Sequence, residues 1–238
     1  MRIIKQVIKA SCSAIAVFTL LLSPERPLAS PLSFGQADIP AIVSKIKLLY
    51  GNSAQSRAFE WLELVKEYRD EDLQTQMKHV NNFFNQLVFI DDIKLWGKDD
   101  YWASIAEFIG AGGGDCEDFT LAKFYTLVFM GVDPNKLQMT YVNVVTVQQA
   151  HMVLAYQASP NHEPIILDNI NKQLLPASQR TDLEPIYAFN AEELWLTKQI
   201  GQGQLIGKAT TIKPWVRVME STQKLDMATP IINLDKAQ

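Results

Sequence analysis

An α+β fold, helices first and an antiparallel sheet after them, is what this sequence predicts, and the order of its two hydrophobic periods predicts it. Between residues 39 and 130 the apolar residues recur at helical spacing. Beyond residue 136 they gather in short runs rich in β-branched and aromatic residues, separated by turn chemistry such as Ser159-Pro160-Asn161. A chain of 238 residues is long enough to bury a full core.

The first 30 residues stand apart. MRIIKQVIK carries three positive charges and leads into ASCSAIAVFTLLL, an apolar run short for a membrane span, with small residues at Ala29 and Ser30. This reads as a secretory signal peptide over residues 1–30; a buried first helix or an uncleaved anchor is the competing account. Cys12 lies in this segment, and Lys9 before it does not suit a lipid-attachment box. Removing residues 1–30 takes away four basic residues and one acidic residue, which leaves 18 basic against 25 acidic and a net charge of −7. An acidic chain without basic runs argues against nucleic acid as a partner. No second long apolar run follows, so the mature chain is expected to be soluble, and Cys116 is left as a lone thiol in an oxidising compartment.

The elements follow in order. IPAIVSKIKLLYG (39–51) has helical spacing and stops at Gly51. Asn52 or Ser53 is expected to cap a second helix with Ala58, Trp61, Leu62, Val65 and Tyr68 as its apolar stripe, and Asp70 to cap a third. In the third, Leu73, Met77, Val80, Phe84 and Leu87 alternate at four and three, the spacing of a packed helix, with His79 beside the stripe. DDIKLWGKDDYW (91–102) reads as a loop in which Trp96 and Trp102 are assigned to the core. A helix over 103–109 precedes the breakers Gly110 to Gly114. The next helix starts at or just before Cys116 and runs to Gly131. Strands are expected at 137–147, 150–157 and 163–170, with GQLIGKA and KPWVRVM adding one or two more. The tail after Ser221 is polar and expected to be loosely held.

The stretch GGGDCEDFT (112–120) places the lone thiol at a helix start. There, unpaired backbone N–H groups and the helix dipole favour a thiolate and can hold an oxyanion. Preceding glycines let a substrate backbone approach. A thiol nucleophile needs a base and a group to orient it. His151 sits in the strand-like run AHMVLAY and Asp168 in the next, IILDNI. Adjacent antiparallel strands would bring them together, although the register is not fixed by the sequence. His162, in the turn, reads as a solvated histidine.

Asp115, Glu117 and Asp118 surround Cys116 with charge that opposes a thiolate. A bound divalent cation resolves the conflict, and hard carboxylate oxygens suit calcium better than zinc. Simple capping of the helix by acidic residues is the alternative.

The combination WGKDDYWAS, EFIGAGGGDCEDFTLAKFYTLVFMGV, AHMVLAY and ILDNI, spread over about residues 85–205, resembles the bacterial transglutaminase-like cysteine proteinases, and among them the LapG group of periplasmic proteases. The resemblance implies a papain-like or transglutaminase-like α+β fold, with the N-terminal helices and the nucleophile helix packed on an antiparallel sheet. It implies Cys116 as nucleophile, His151 as general base and acid, and Asp168 as orienter. It also implies calcium dependence with Asp115 and Glu117 as ligands, Asp118 and Asp99 being less firmly matched. The implied organisation is a signal peptide (1–30), a protease domain (31–220, with a helical lobe over 31–90 and a catalytic core over 91–220) and a tail (221–238).

The role it implies is that of a periplasmic endopeptidase. Such an enzyme cuts a large repeat-containing surface adhesin near its N-terminus at an Ala-Ala bond, releasing the adhesin and dispersing a biofilm. An inner-membrane cyclic di-GMP receptor holds it inhibited through the receptor's periplasmic domain. Two other classes fit the residues: a transglutaminase or amidase on the same fold, and a non-catalytic binding module stabilised by calcium.

Overall fold

The computed structural model describes residues 39–236. The expected signal peptide and Cys12 lie outside the described residues. Among them, no helix is long and apolar enough to cross a membrane.

Helices α1 (Ile39–Tyr50), α2 (Asn52–Tyr68) and α3 (Leu73–Phe84) come first and share one core with the later helices and the sheet. Ile42, Val43 and Ile46 of α1, Ala54, Ala58 and Trp61 of α2, and Met77, Val80 and Phe84 of α3 are buried, one stripe per helix. Two caps differ from the sequence expectation. Gly51, not Asn52 or Ser53, occupies the cap position of α2 and has no side chain to offer. Asp72, not Asp70, caps α3: its carboxylate accepts from the Thr75 backbone N–H at 3.0 Å and from the Thr75 hydroxyl at 2.8 Å.

The short strand β1 (Val88–Phe89), a one-turn helix α4 (Asp92–Leu95), α5 (Ile105–Ala111) and the two-residue β2 (Gly113–Gly114) lead to the long central helix α6 (Cys116–Phe129). The segment 91–102 therefore contains a helical turn that the sequence did not announce. Helix α5 starts later than expected because Ser104 and Glu107 form a capping box, each bonding the other's backbone N–H. Strands β1 and β2 pair in parallel, with Val88 opposite Gly113. A Cβ at Gly113 would lie 2.4 Å from the Val88 carbonyl oxygen, so glycine is what lets this pairing close against the start of α6.

Strands β3 (Leu137–Val144), β4 (Gln149–Tyr156), β5 (Ile165–Leu167), β6 (Leu175–Pro176), β7 (Leu183–Phe189), β8 (Glu193–Gln199) and β9 (Gln202–Lys208) form one sheet, ordered β6-β5-β4-β3-β7-β8-β9, with every pairing antiparallel. Period-two alternation divides its side chains. Leu137, Met139, Met152, Leu154, Leu167 and Phe189 join the main core with the helices, whereas Val142, Val144, Val153, Ala155, Ile166 and Leu183 form a smaller cluster.

The run KPWVRVM, expected as a strand, is instead the start of helix α7 (Lys213–Lys224). Pro214 stands in its first turn, a position where the missing N–H costs nothing. Trp215, Val218, Met219 and Thr222 are buried at helical spacing, and the Trp215 ring lies 5.8–6.0 Å from those of Phe124, Tyr125 and Phe189. The expected loose tail is also pinned. Leu234 is buried, Arg57 pairs with Asp235 at 2.5 Å, and the Ala228 N–H donates to Glu107 at 2.8 Å. Trp96 and Trp102 are core residues, as the sequence assigns them.

Candidate active site

Cys116 is the first residue of α6, a 14-residue helix. Asp115 precedes it in extended conformation and makes no side-chain cap, so its carboxylate does not take up the free N–H groups of the first turn. The helix is buried nearly all round from Glu117 to Leu127, which fixes its axis and the placement of its first residue. Trp61 of α2 anchors its far end by donating to the Thr126 hydroxyl at 2.9 Å.

His151 lies near the start of β4, opposite Val142 of β3. Asp168 follows Leu167, which pairs with Leu154 of β4. The antiparallel β4–β5 pairing brings the two side chains together: His151 Nε2 is 2.8 Å from Asp168 Oδ1, and both residues are buried. A carboxylate only accepts, so the proton of the neutral ring sits on Nε2 and Nδ1 is the basic nitrogen. The Ile170 N–H also donates to Asp168 Oδ1 at 2.9 Å, and the side-chain amide of Asn85, just after α3, donates to the Asp168 carbonyl at 2.8 Å. Arg180 Nη2 lies 2.8 Å from Asp168 Oδ2. Burial works against the ionised Asp168, but the His151 bond outweighs it together with the Ile170 N–H and Arg180, and the carboxyl is held well below its ordinary range.

The strand bearing His151 is tied to the helix bearing Cys116. The Met152 backbone N–H faces the Cys116 sulfur, and the Thr120 hydroxyl reaches both the Cys116 carbonyl at 2.9 Å and the Met152 carbonyl at 3.0 Å. The residue after His151 thus contacts the first turn of α6. The thiol itself is half-buried and donates to Glu117 Oε2 at 3.2 Å. Burial, Glu117 and Asp115 raise its pKa well above the usual thiol value, while the Met152 N–H opposes them. As it stands, the thiol is held protonated.

The acidic residues gather more tightly than the sequence indicates, and two members are new. Carboxylate oxygens of Asp92, Asp115 and Asp118 lie within 4.8 Å of one another, as do those of Asp92, Asp100 and Glu117. Asp99 belongs to neither group among the described residues. Asp92 Oδ2 accepts from the Tyr101 N–H at 2.5 Å and Asp118 Oδ1 from the Ala103 N–H at 2.6 Å. Their other oxygens, Asp92 Oδ1 and Asp118 Oδ2, together with Asp115 Oδ1, are buried without a hydrogen-bond partner. Burial with mutual repulsion drives the Asp115 and Asp118 carboxyls far above their ordinary value and pushes Asp92 up to about 7. A Cβ at Gly114 would stand 2.1 Å from Asp118 Oδ2, so glycine keeps this space open. Three orphaned buried oxygens facing one another form a donor set that fits a hard divalent cation.

Sequence reasoning missed Asp92, Asp100, Asn85 and Arg180. The acidic pairs Asp91-Asp92 and Asp99-Asp100 were a visible signal in the loop. Nothing local marks Asn85 or Arg180, which reach the site only through tertiary packing. His162 lies outside the site, in a turn where its ring meets Ser159 at 2.7 Å, and His79 stacks on Tyr68 in the helical lobe.

The model of the bacterial transglutaminase-like cysteine proteinases (BTLCP) matches residues 58–197. No curated protein matches this chain. Among solved structures, the EGTA-treated LapG of Legionella pneumophila is 38% identical with a TM-score of 0.69, covering 77% of this chain and 97% of that one. A second structure of the same protein gives 0.67 at the same identity and coverage. Its calcium-bound form gives 0.66 at 38% identity, with coverages of 76% and 97%. The family match takes in the helix that begins at Cys116, strand β4 with His151, Asp168 just after β5, and the acidic residues around Cys116, and this chain belongs to the bacterial transglutaminase-like cysteine proteinases.

Proposed function

We propose that this protein is a calcium-dependent cysteine endopeptidase of the periplasm that cuts the N-terminal region of a large surface adhesin. Release of the adhesin would promote biofilm dispersal, under the control of an inner-membrane cyclic di-GMP receptor. The observation that carries the catalytic part is the 2.8 Å His151–Asp168 pair, one residue from Met152, whose N–H faces the Cys116 sulfur at a helix N-terminus. Calcium is supported by the acidic donor set and by the existence of calcium-bound LapG at 38% identity. The adhesin, the cleavage at an Ala-Ala bond and the receptor rest on the family resemblance.

In this reading Asp168 holds the Nε2–H tautomer of His151, and the ring's Nδ1 takes the thiol proton of Cys116. The thiolate attacks the scissile carbonyl carbon, and the Cys116 N–H donates to the oxygen as it gains charge. His151 returns the proton to the leaving amine, and water, deprotonated by the same ring, hydrolyses the thioester. Asp92, Asp115 and Asp118, with Asp100 and Glu117 beside them, would hold the cation, which supplies positive charge where Glu117 and Asp115 otherwise oppose thiolate formation.

The test is mass spectrometry of products formed from an adhesin N-terminal segment by purified protein and by Cys116→Ala. A new N-terminus that depends on Cys116 supports hydrolysis. Isopeptide-linked products would assign the thiol to acyl transfer onto an amine instead.

A further inference from the structure

Arg180 is a buried guanidinium, 3% exposed, placed after the turn that leads from β6 across to β7. Its aligned hydrogen bonds go to Asp182, from Nε at 2.9 Å and Nη2 at 2.8 Å. The same Nη2 is 2.8 Å from Asp168 Oδ2 as an ion pair, without the alignment of a hydrogen bond, while Nη1 is buried without a partner. A buried guanidinium with an unpaired nitrogen costs stability, so structural support alone is a poor account of it. Its position answers a need of the site. Asp168 Oδ1 is already bound by His151 and by the Ile170 N–H, and Arg180 is the charged partner of the other oxygen.

We propose that Arg180 is the positioning residue of this site: it fixes the Asp168 carboxylate so that Oδ1 retains the His151 Nε2 proton and Nδ1 stays free to act as base. This rests on the proteolytic reading above. The groups that face Asp168 come from every side. His151 is on β4, and Arg180 with Asp182 lies on the crossover segment. The fully buried Lys123 acts from α6, with Lys172 acting on Lys123 in turn; Lys172 Nζ also bonds the Asn85 carbonyl at 3.0 Å. Lys123 acts on Asp168 through charge alone, whereas Arg180 meets the carboxylate at ion-pair distance. Arg180 therefore draws Oδ2 to one side by a contact charge, which leaves Oδ1 to His151.

The chain has three histidines, so the His151 ring can be assigned by 15N NMR of labelled protein with the help of H79Q and H162Q. Wild type is expected to show a single Nε2–H tautomer above the titration of the ring. R180M and R180Q should show mixed tautomers, and R180K, which keeps the charge, should restore most of the Nε2–H form. With the adhesin N-terminal segment as probe, kcat should fall by about 10–100-fold in R180M and R180Q with KM nearly unchanged, and recover in part in R180K. R180Q keeps hydrogen-bonding capacity and decides the matter if R180M does not fold. Folded R180Q with a single Nε2–H tautomer and wild-type kcat would overturn the proposal. A wild type that shows the expected tautomers but cuts nothing would leave the Arg180 assignment standing and count against the protease reading.

Discussion

The Thr120 hydroxyl stands 3.0 Å from the Met152 carbonyl and 2.9 Å from the Cys116 carbonyl, joining the first turn of α6 to the strand that carries His151. One side-chain oxygen thus ties the helix that begins at Cys116 to the strand that carries His151, beside the contact of the Met152 N–H with the Cys116 sulfur. Thr120→Val removes the bond without changing volume and should cost about 1–3 kcal/mol. It should also reduce kcat/KM, while Thr120→Ser should keep both. Thermal unfolding beside cleavage kinetics checks this; equal kinetics in Thr120→Val would detach the bridge from function.

Glu107 ties the tail to the loop that carries the acidic residues. Its Oε1 accepts from the Tyr101 hydroxyl at 2.7 Å and the Ala228 N–H at 2.8 Å, and its Oε2 from the Ser104 N–H at 2.7 Å and hydroxyl at 2.8 Å. All four partners donate, so Glu107→Gln turns one buried acceptor into a donor facing donors. A loss of about 2–3 kcal/mol follows, read by denaturant unfolding. Truncation after residue 224 should destabilise in the same direction, by removing Ala228 and the buried Leu234.

Stability without calcium should fall as pH rises from about 5 to 8. Burial first, then Glu117 and Asp100, raises the Asp92 carboxyl from near 3.8 to about 7, against the Tyr101 N–H. Its favourable contribution is complete below the unfolded value and is lost as pH climbs through the folded one. Asp168 is depressed, so its contribution is present above about 3.8 and is lost only on further acidification, outside this window. Calcium should cancel the loss at pH 8, and Asp92→Asn should flatten the slope. Melting temperatures in EGTA and in calcium across this range provide the check; a slope of opposite sign in EGTA contradicts the clustering of charge.

Cys116 alkylation should report the same electrostatics. Iodoacetamide should modify the thiol slowly in EGTA, where burial, Glu117 and Asp115 hold it protonated, and faster with calcium. Identical rates in both conditions would separate the acidic cluster from the thiol.

What the sequence discloses follows the range of the interactions. The stripes of α1 to α3, the start of α6 at Cys116 and strand β4 around His151 are local patterns that stand close to where the periods put them. Helix α3, however, ends at Phe84, short of Leu87, and β5 covers only Ile165–Leu167, so Asp168 follows the strand that was expected to contain it. Strands β7 and β8 went unseen, since LEPIYAF and ELWLTKQ have weak alternation and are held by their neighbours in the sheet, β7 by β3 and β8, and β8 by β7 and β9. The mistaken strand at KPWVRVM came from its β-branched and aromatic content; the spacing of Trp215, Val218, Met219 and Thr222 and the leading Pro214 carry the helical signal. Around the site, the residues in the DCED block were visible because they are adjacent in sequence. Asp92, Asn85 and Arg180 arrive from α4, the end of α3 and the β6–β7 crossover, and a one-dimensional pattern does not reveal them.

The most direct measurement is cleavage of an adhesin N-terminal segment by the purified mature protein, run with calcium, with EGTA and with Cys116→Ala. The account predicts a single cut in calcium, none in EGTA and none with the variant. A cut that persists in EGTA or in Cys116→Ala, or no cut under any condition by folded protein, would contradict it.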